Sequence, residues 1–580
     1  MTRRSWAAPA LVVGVAVLAV FAPALRNGFV LWDDDLNLTE NPRFRGLSPR
    51  HLAWMFSTVH GGHYQPLTWL TFGVDHALWG MDPAGYHLTS IVLHACAAVL
   101  CAMLIAALLE PIDPRPSPGA VLAGALFFAV HPLRVEAVAW ASERRDVLSG
   151  LFYLATVLAY VRFVRARQAG RPWSGWLAMS LVCFVLSLLA EAWGMTLPVV
   201  LLILDAYPLG RLSSTSTESR ARVLAEKLPW AVLALGTAIV AFVAQRRVPA
   251  MRPLAEHGVL ERVAQAAYGL CFYVAKTIVP LALSPAYLLE PKLDPSRPLY
   301  LGCLIAVLAV TTAGVLLRHR APWVLASWLC YVAVVSPVLG FVQTGPQIAA
   351  DRYSYVACVP WVVLLAAGLQ AIIARPRSLT RTAGLGAIAS VLVVLAVLAF
   401  QQTRTWKDSE TLWTHVLRVD PTNHIAYTNR GWARQAAGDA AGALADYDAA
   451  LRAFPGYFVA LTDRGVLRQS RGDLEGALAD YDAAIAANPR HCDAWFSRGT
   501  ARHARGDVAG ALEDYDRAVS CAPDDPRYVN NRGWARQAHG DLAGAAADYT
   551  RALELTPSGM PGREMIERNL SAVQARVGGR

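Results

Sequence analysis

The stretch RGWARQAAGDAAGALADYDAALRAFP, residues 430–455, is the first of four similar stretches in strict register. Gly431, Gly465, Gly499 and Gly533 fall 34 residues apart. Tyr447, Tyr481, Tyr515 and Tyr549 keep the same period, as do Ala443, Ala477, Ala511 and Ala545, and Pro455, Pro489, Pro523 and Pro557. Gly-Asp pairs at 438–439, 472–473, 506–507 and 540–541 mark a turn inside each unit. A fixed period of this length signals stacked units, none able to bury its apolar face alone. Small Gly and Ala let two helices approach, the aromatic fills the gap between units, and Pro stops the second helix.

This is the tetratricopeptide pattern, and it predicts an α-solenoid of four repeats over 424–559, with a capping helix and tail over 560–580. Trp413 and Pro421 stand one period ahead of Tyr447 and Pro455, so 403–423 reads as a partial repeat or linker. Arg recurs at 430, 464, 498 and 532 and again four residues later, opposite Asp446, Asp480, Asp514 and Asp548. Pairing between the two helices of each repeat is the expectation, rather than an anion-binding ladder. By register the concave face carries Trp432, Gln435, Gln469, Phe496, His503, Trp534 and Gln537, a groove for an acceptor or partner. A packing role for the two Trp stays open.

Upstream of the repeats the chain changes character. Hydrophobic residues make up 55% of the 580 and charged residues 17%, and the apolar excess is concentrated before about Gln401. Apolar runs at 9–25, 88–109, 119–131, 147–161, 176–204, 229–244, 263–283, 300–317, 322–341, 354–373 and 383–400 predict about eleven spans over a domain 1–402. Two alternatives stay open in the middle: 176–204 as two short helices turning at Glu191, and 263–283 as re-entrant. The formal charge of +10 is carried mostly by Arg, and basic loops in a membrane protein face the cytoplasm, so no nucleic acid is implied. Arg3 and Arg4 hold the N-terminus inside. Threading from there puts 27–87, 131–146 and everything after 401 outside, with the repeats periplasmic in a bacterial inner membrane. Buried structural thiols are the expectation for the nine Cys, with a Cys492–Cys521 disulfide open.

The outside loops hold the chemistry. GFVLWDDDLN at 28–37 places Asp33, Asp34 and Asp35 at the membrane boundary, where ionisable groups call for a functional hypothesis. The next loop, HPLRVEAVAWASERRD at 131–146, crowds His131, Arg134, Glu136, Arg144, Arg145 and Asp146 between two spans. Salt bridging is the plain account; the sharper one is that an Arg fork receives a lipid-linked phosphate.

Together with LDAYPLGR at 204–211, ADRYSY at 350–355 and the trailing repeats, these loops resemble the transmembrane-and-tetratricopeptide O-mannosyltransferase family. The resemblance implies an all-α, multi-helix glycosyltransferase fold of the GT-C type. It also implies a polyprenyl-phosphate sugar donor, mannose-like by family, and inverting transfer to a hydroxyl outside the cytoplasm. The family's acidic pair matches Asp33 and Asp34, with Asp35 additional. Asp33 or Asp34 is then the general base, Glu136 and His131 supports, and Arg144 or Arg145 the donor-phosphate ligand. The acceptor is a protein or cell-envelope polymer held by the repeats. A divalent cation, Mg or Mn, bridging acid and phosphate stays open, with no ligand set named. The rival is a non-enzymatic membrane scaffold that recruits periplasmic proteins through its repeats.

Overall fold

The computed structural model describes residues 7–110, 113, 115–213, 218–246, 257–290, 292–342, 345–376, 378–556 and 562–578. Pro557 and residues 560, 561, 579 and 580 of the expected tail lie outside the described residues. The chain divides into two compact units, Met1–His415 and Val416–Arg580. Helix dominates both, and a single antiparallel pair of short strands, Tyr287–Leu288 with Gln347–Ala349, occurs among the described residues.

Among the described residues of the first unit six helices are long and apolar enough to cross a membrane: Ala8–Arg26, Pro83–Leu109, Arg144–Gln168, Arg220–Arg246, Pro298–Leu317 and Leu379–Trp406. Two bent pairs, Pro118–Ala129 with Pro132–Ala139 and Asp351–Ala357 with Val359–Ile373, raise the number to eight. These helices mark a multi-pass membrane protein, with fewer full-length spans than the eleven apolar runs predicted. The shortfall has a local cause. The run 176–204 breaks at Glu191, whose backbone is extended, into Ser174–Ala190 and the short helical stretch Ala192–Ala206. The run 322–341 gives a helix of only intermediate length. Helix Val259–Ile278 carries buried Arg262 and Gln265 and is not among the apolar spans.

The loop that follows the first apolar helix is a small folded body rather than an open tether. Helices Pro49–Ser57 and Pro66–Trp79 and a turn at Pro42–Phe44 close over a core of Leu38, Phe44, Met55, Trp69, Phe72 and Tyr86. Its start is fastened to the segment that follows the last apolar helix. Asn27 Nδ2 donates to Thr403 O at 3.1 Å, Gly28 N to Lys407 O at 2.8 Å and Leu31 N to Ser409 Oγ at 2.8 Å. Trp32 meets Trp413 edge-on at 4.9 Å, and Trp140 stacks on Trp406 at 5.5 Å.

The second unit is the solenoid. Its helix pairs are His424–Ala436 with Ala440–Ala453, Phe458–Ser470 with Leu474–Ala487, Cys492–Ala504 with Val508–Cys521, and Pro526–His539 with Leu542–Leu555; helix Arg563–Gly578 follows. Each turn repeats one device. Gly438, Gly472, Gly506 and Gly540 take positive φ, and the Asp after each caps the next helix by accepting a backbone N–H. The invariant small position is steric: a Cβ on Gly465 would lie 2.6 Å from the Tyr481 ring.

The Arg and Asp series pair between helices. Asp480 accepts from Arg464 at 2.6 and 3.0 Å and from Arg468 at 2.8 Å, while Arg464 also reaches back to Asp448 at 2.6 Å. The other repeats show the same two-arginine clamp on Asp446, Asp514 and Asp548. Cys492 and Cys521 form a disulfide joining the ends of one helix pair, so these two are not the buried thiols expected. Of the others, Cys101, Cys183, Cys330 and Cys358 are buried and Cys96 is exposed.

Because Asp480 is buried under two guanidiniums, Asp480→Ala should destabilise the repeats by about 2–3 kcal/mol, the cost of stranding buried charge reduced for partial exposure of both Arg. Asp448→Ala, at an exposed carboxylate, should cost under about 1 kcal/mol. Pulse proteolysis of the repeats in urea, on the full chain, measures both.

Candidate active site

The loops 27–87 and 131–146 meet at Asp34. Its carboxylate accepts from Val30 N at 3.0 Å and from Ser142 N at 2.9 Å, 108 residues away, and it is buried. Burial pushes its pKa up to about 7, against the two N–H donors that favour the charged form. Asp33 beside it is different. It is open to solvent and takes φ +70°, a left-handed conformation rare for a side chain other than Gly or Asn. That kink turns neighbouring side chains opposite ways: Asp34 into the protein, Asp33 toward solvent. Surrounding protein raises the Asp33 pKa, and the Arg145 charge is the largest effect opposing it. Asp35 begins a five-residue π-helical turn, Asp35–Thr39.

The arginine pair separates in the same way. Arg144 is buried and fully engaged: it pairs with Asp75 and donates to Tyr86 O at 2.7 Å, Ser90 Oγ at 3.2 Å and Thr71 Oγ1 at 3.3 Å. Its guanidinium is held inside the first-loop body and is not presented to a ligand, contrary to its candidacy as a phosphate group. Arg145 is partly exposed. Its Nε donates to Glu143 Oε2 at 3.1 Å and lies 3.6 Å from Glu191 Oε2. Burial would raise the Glu143 pKa, but Arg145 and Arg352 hold it below the usual range.

His131 and Glu136 prove to be framework. His131 Nδ1 accepts from Leu133 N at 3.2 Å and Nε2 lies 3.0 Å from Thr277 O, so both ring nitrogens are occupied. Glu136 is buried and bound to Arg352 through that residue's backbone N–H at 2.8 Å and its guanidinium. Sequence reasoning passed over Glu143, Glu191 and Arg352 as site residues. Glu191 had a signal, a lone acid interrupting an apolar run; here it lies 3.6 Å from His63 Nδ1. Arg352 stood within the ADRYSY motif with no role attached. Among the described residues no group of three or more His, Cys, Asp and Glu side chains is arranged to hold a metal ion.

In the repeats, Trp432 and Trp534 are exposed. Gln435, Gln469 and Gln537 accept from Tyr447, Tyr481 and Tyr549 at 2.9, 2.9 and 3.1 Å. Phe496 packs on Tyr515 and Tyr528, and the His503 ring lies 3.7 Å from that of Trp534. The Gln carbonyls and Phe496 thus serve packing, whereas the Trp faces stay accessible.

A family model described as Tetratricopeptide repeat matches residues 394–458 and 462–526. Protein O-mannosyl-transferase TMTC4 of Homo sapiens is 28% identical over 221 residues, 35% of this chain and 30% of that protein. Protein O-mannosyl-transferase TMTC2 of Mus musculus is 35% identical over 158 residues, 27% of this chain and 18% of that protein. The matches thus span under a third of either relative's length. The crystal structure of MamA is matched over 25% of this chain and 85% of that one, at 22% identity and TM-score 0.23. The relatives and the repeats support the TMTC-like resemblance carried by the loop motifs.

The raised Asp34 pKa has a sign that can be measured. Between about pH 4 and pH 7 the native Asp34 stays protonated while the unfolded one ionises, so the unfolded state binds fewer protons and stability falls as pH rises. Melting temperatures of the wild type should drop across that window, and Asp34→Asn should flatten the drop.

Proposed function

We propose, with the likeness to the transmembrane-and-tetratricopeptide O-mannosyl-transferases as premise, that this chain is a membrane glycosyltransferase. It moves a sugar, mannose by family, from a polyprenyl-phosphate donor to a hydroxyl acceptor on the extracytoplasmic side, with inversion. The observation that carries this is a solvent-facing Asp33, presented at positive φ beside the anchored Asp34, with Arg145 the cation of strongest effect on it.

Asp33 takes the proton of the acceptor hydroxyl as its oxygen bonds to the anomeric carbon. The bond from that carbon to the phosphate oxygen breaks, its electron pair leaves with the phosphate, and Arg145 stabilises the charge arriving there. Attack and departure on opposite faces invert the centre. Asp34, buried against Val30 and Ser142, holds the loop that presents Asp33.

A lipid-tailed donor is supported by an apolar cavity of about 450 Å³ within the membrane unit. Tyr153, Leu154, Val200, Leu204, Trp323 and Val356 are among its lining residues. Val356 stands one helical turn after Arg352. The disulfide in the third repeat supports an oxidising, extracytoplasmic setting for the solenoid, since such bonds persist outside the reducing cytosol. Exposed Trp432 and Trp534 supply the aromatic anchors with which a concave repeat surface would hold a protein or polymer acceptor.

With purified full-length protein and a labelled polyprenyl-phosphate sugar, Asp33→Asn should lower turnover about 10²–10⁴-fold while leaving membrane insertion intact. Wild-type turnover in that variant would remove Asp33 as the base. A reporter that is active only after export, fused after Arg404, should be active; a silent one would put the loops on the wrong side of the membrane.

A further inference from the structure

Arg352, in the turn Asp351–Tyr353, is held by two carboxylates, Glu136 and Glu143. Its backbone N–H donates to Glu136 Oε2 at 2.8 Å while Nη1 pairs with Glu136 Oε1, so one buried carboxylate grips both ends of the residue. Nε lies 3.7 Å from Glu143 Oε1, the same oxygen that takes Arg145 Nη2. One carboxylate thereby sets the spacing of two guanidiniums. The Arg352 group lies 5.4 Å from the Trp140 ring centroid and 4.9 Å from that of Tyr353, which keeps it flat and partly shielded from water.

Both arginines nevertheless keep donors in reserve. Among the described residues, Arg352 Nη2 and Arg145 Nη1 have no protein partner, and their side chains are 10% and 12% exposed. Both act on Asp33, with Arg145 the stronger. Glu136 and Glu143 balance the standing charge of the pair, yet neither uses the donors that point away from them. Two planar forks held on one shared carboxylate, Glu143, offer the oxygens of a phosphate more donors than one does.

We propose that Arg352 binds the phosphate of the polyprenyl donor together with Arg145, and that Glu136 is its positioning residue. This rests on the glycosyltransferase assignment above. The phosphate is a monoanionic diester while the sugar is attached and gains a further negative charge as the sugar departs. A second guanidinium therefore contributes most as the bond to the anomeric carbon breaks. An anion held beside Asp33 also raises that carboxylate's proton affinity, which strengthens it as a base.

The experiment compares binding of polyprenyl phosphate and of the uncharged polyprenol of equal chain length to the full-length protein in detergent, read by tryptophan fluorescence. Wild type should prefer the phosphate. Arg352→Gln should weaken phosphate binding roughly 10- to 100-fold, the scale of a lost charged hydrogen-bond pair, with polyprenol binding unchanged. Arg352→Lys should recover part of the loss and Glu136→Gln should fall in the same direction. A wild type that prefers the phosphate, with the preference kept in full by Arg352→Gln, overturns the role of Arg352 and leaves the donor assignment standing. A wild type that binds phosphate and alcohol equally overturns the donor assignment itself. Loss of polyprenol binding as well in Arg352→Gln, with the phosphate preference surviving in Arg352→Lys and Glu136→Gln, marks Arg352 as structural and also overturns the proposal.

Discussion

The membrane unit depends on a buried carboxylate that joins two loops lying far apart in the sequence. Asp34 accepts one N–H from its own loop and one from Ser142, and without it neither loop has a reason to keep its backbone where it is. Buried backbone N–H groups need partners, and a buried carboxylate needs donors; each here satisfies the other. The consequence appears one residue upstream. Asp33 is held at a positive φ that an isolated chain would avoid, by a cost on the order of 1–3 kcal/mol, and such strain persists only when the surroundings over-determine it. The surroundings are the Asp34 anchor on one side and, on the other, the Gly28 and Leu31 bonds to Lys407 and Ser409. Residues expected to be a linker are thus part of what shapes the acidic loop.

Much of this was legible in the sequence, and what was not has identifiable causes. The repeats were plain because a 34-residue period constrains packing at every turn, and Gly465 against Tyr481 shows why only a small residue fits. The break at Glu191 was visible as a charge in an apolar run. The choice within Arg144-Arg145 was not. Successive residues at a helix start point about 100° apart, so one enters the Asp75 pocket and the other stays partly exposed, and composition cannot tell which. The pairing of Arg352 with Glu136 crosses 216 residues and has no local signature. Three of the apolar runs are short, broken or polar-faced helices, because hydropathy measures composition and not helix length.

Both units are rich in Arg paired with acid, and the same chemistry has opposite meanings in them. In each repeat two Arg close on one buried Asp, and Arg464, Arg498 and Arg532 add a bond to the Asp of the repeat before. Those guanidiniums are engaged on several sides by fixed partners at a regular interval, which is what holding a register requires. Arg144 belongs with them, despite its place in the motif-bearing loop, because Asp75, Tyr86 and Ser90 leave it nothing to offer. Arg145 and Arg352 are different in kind: each is held firmly by carboxylates on one edge and left with open donors on the other. A side chain that is fixed yet incompletely partnered bears its orientation cost before any ligand arrives, so binding need not supply that cost again. Saturation therefore sets Arg145 and Arg352 apart from Arg144 and the repeat arginines, and it does so where residue type, spacing and motif membership do not.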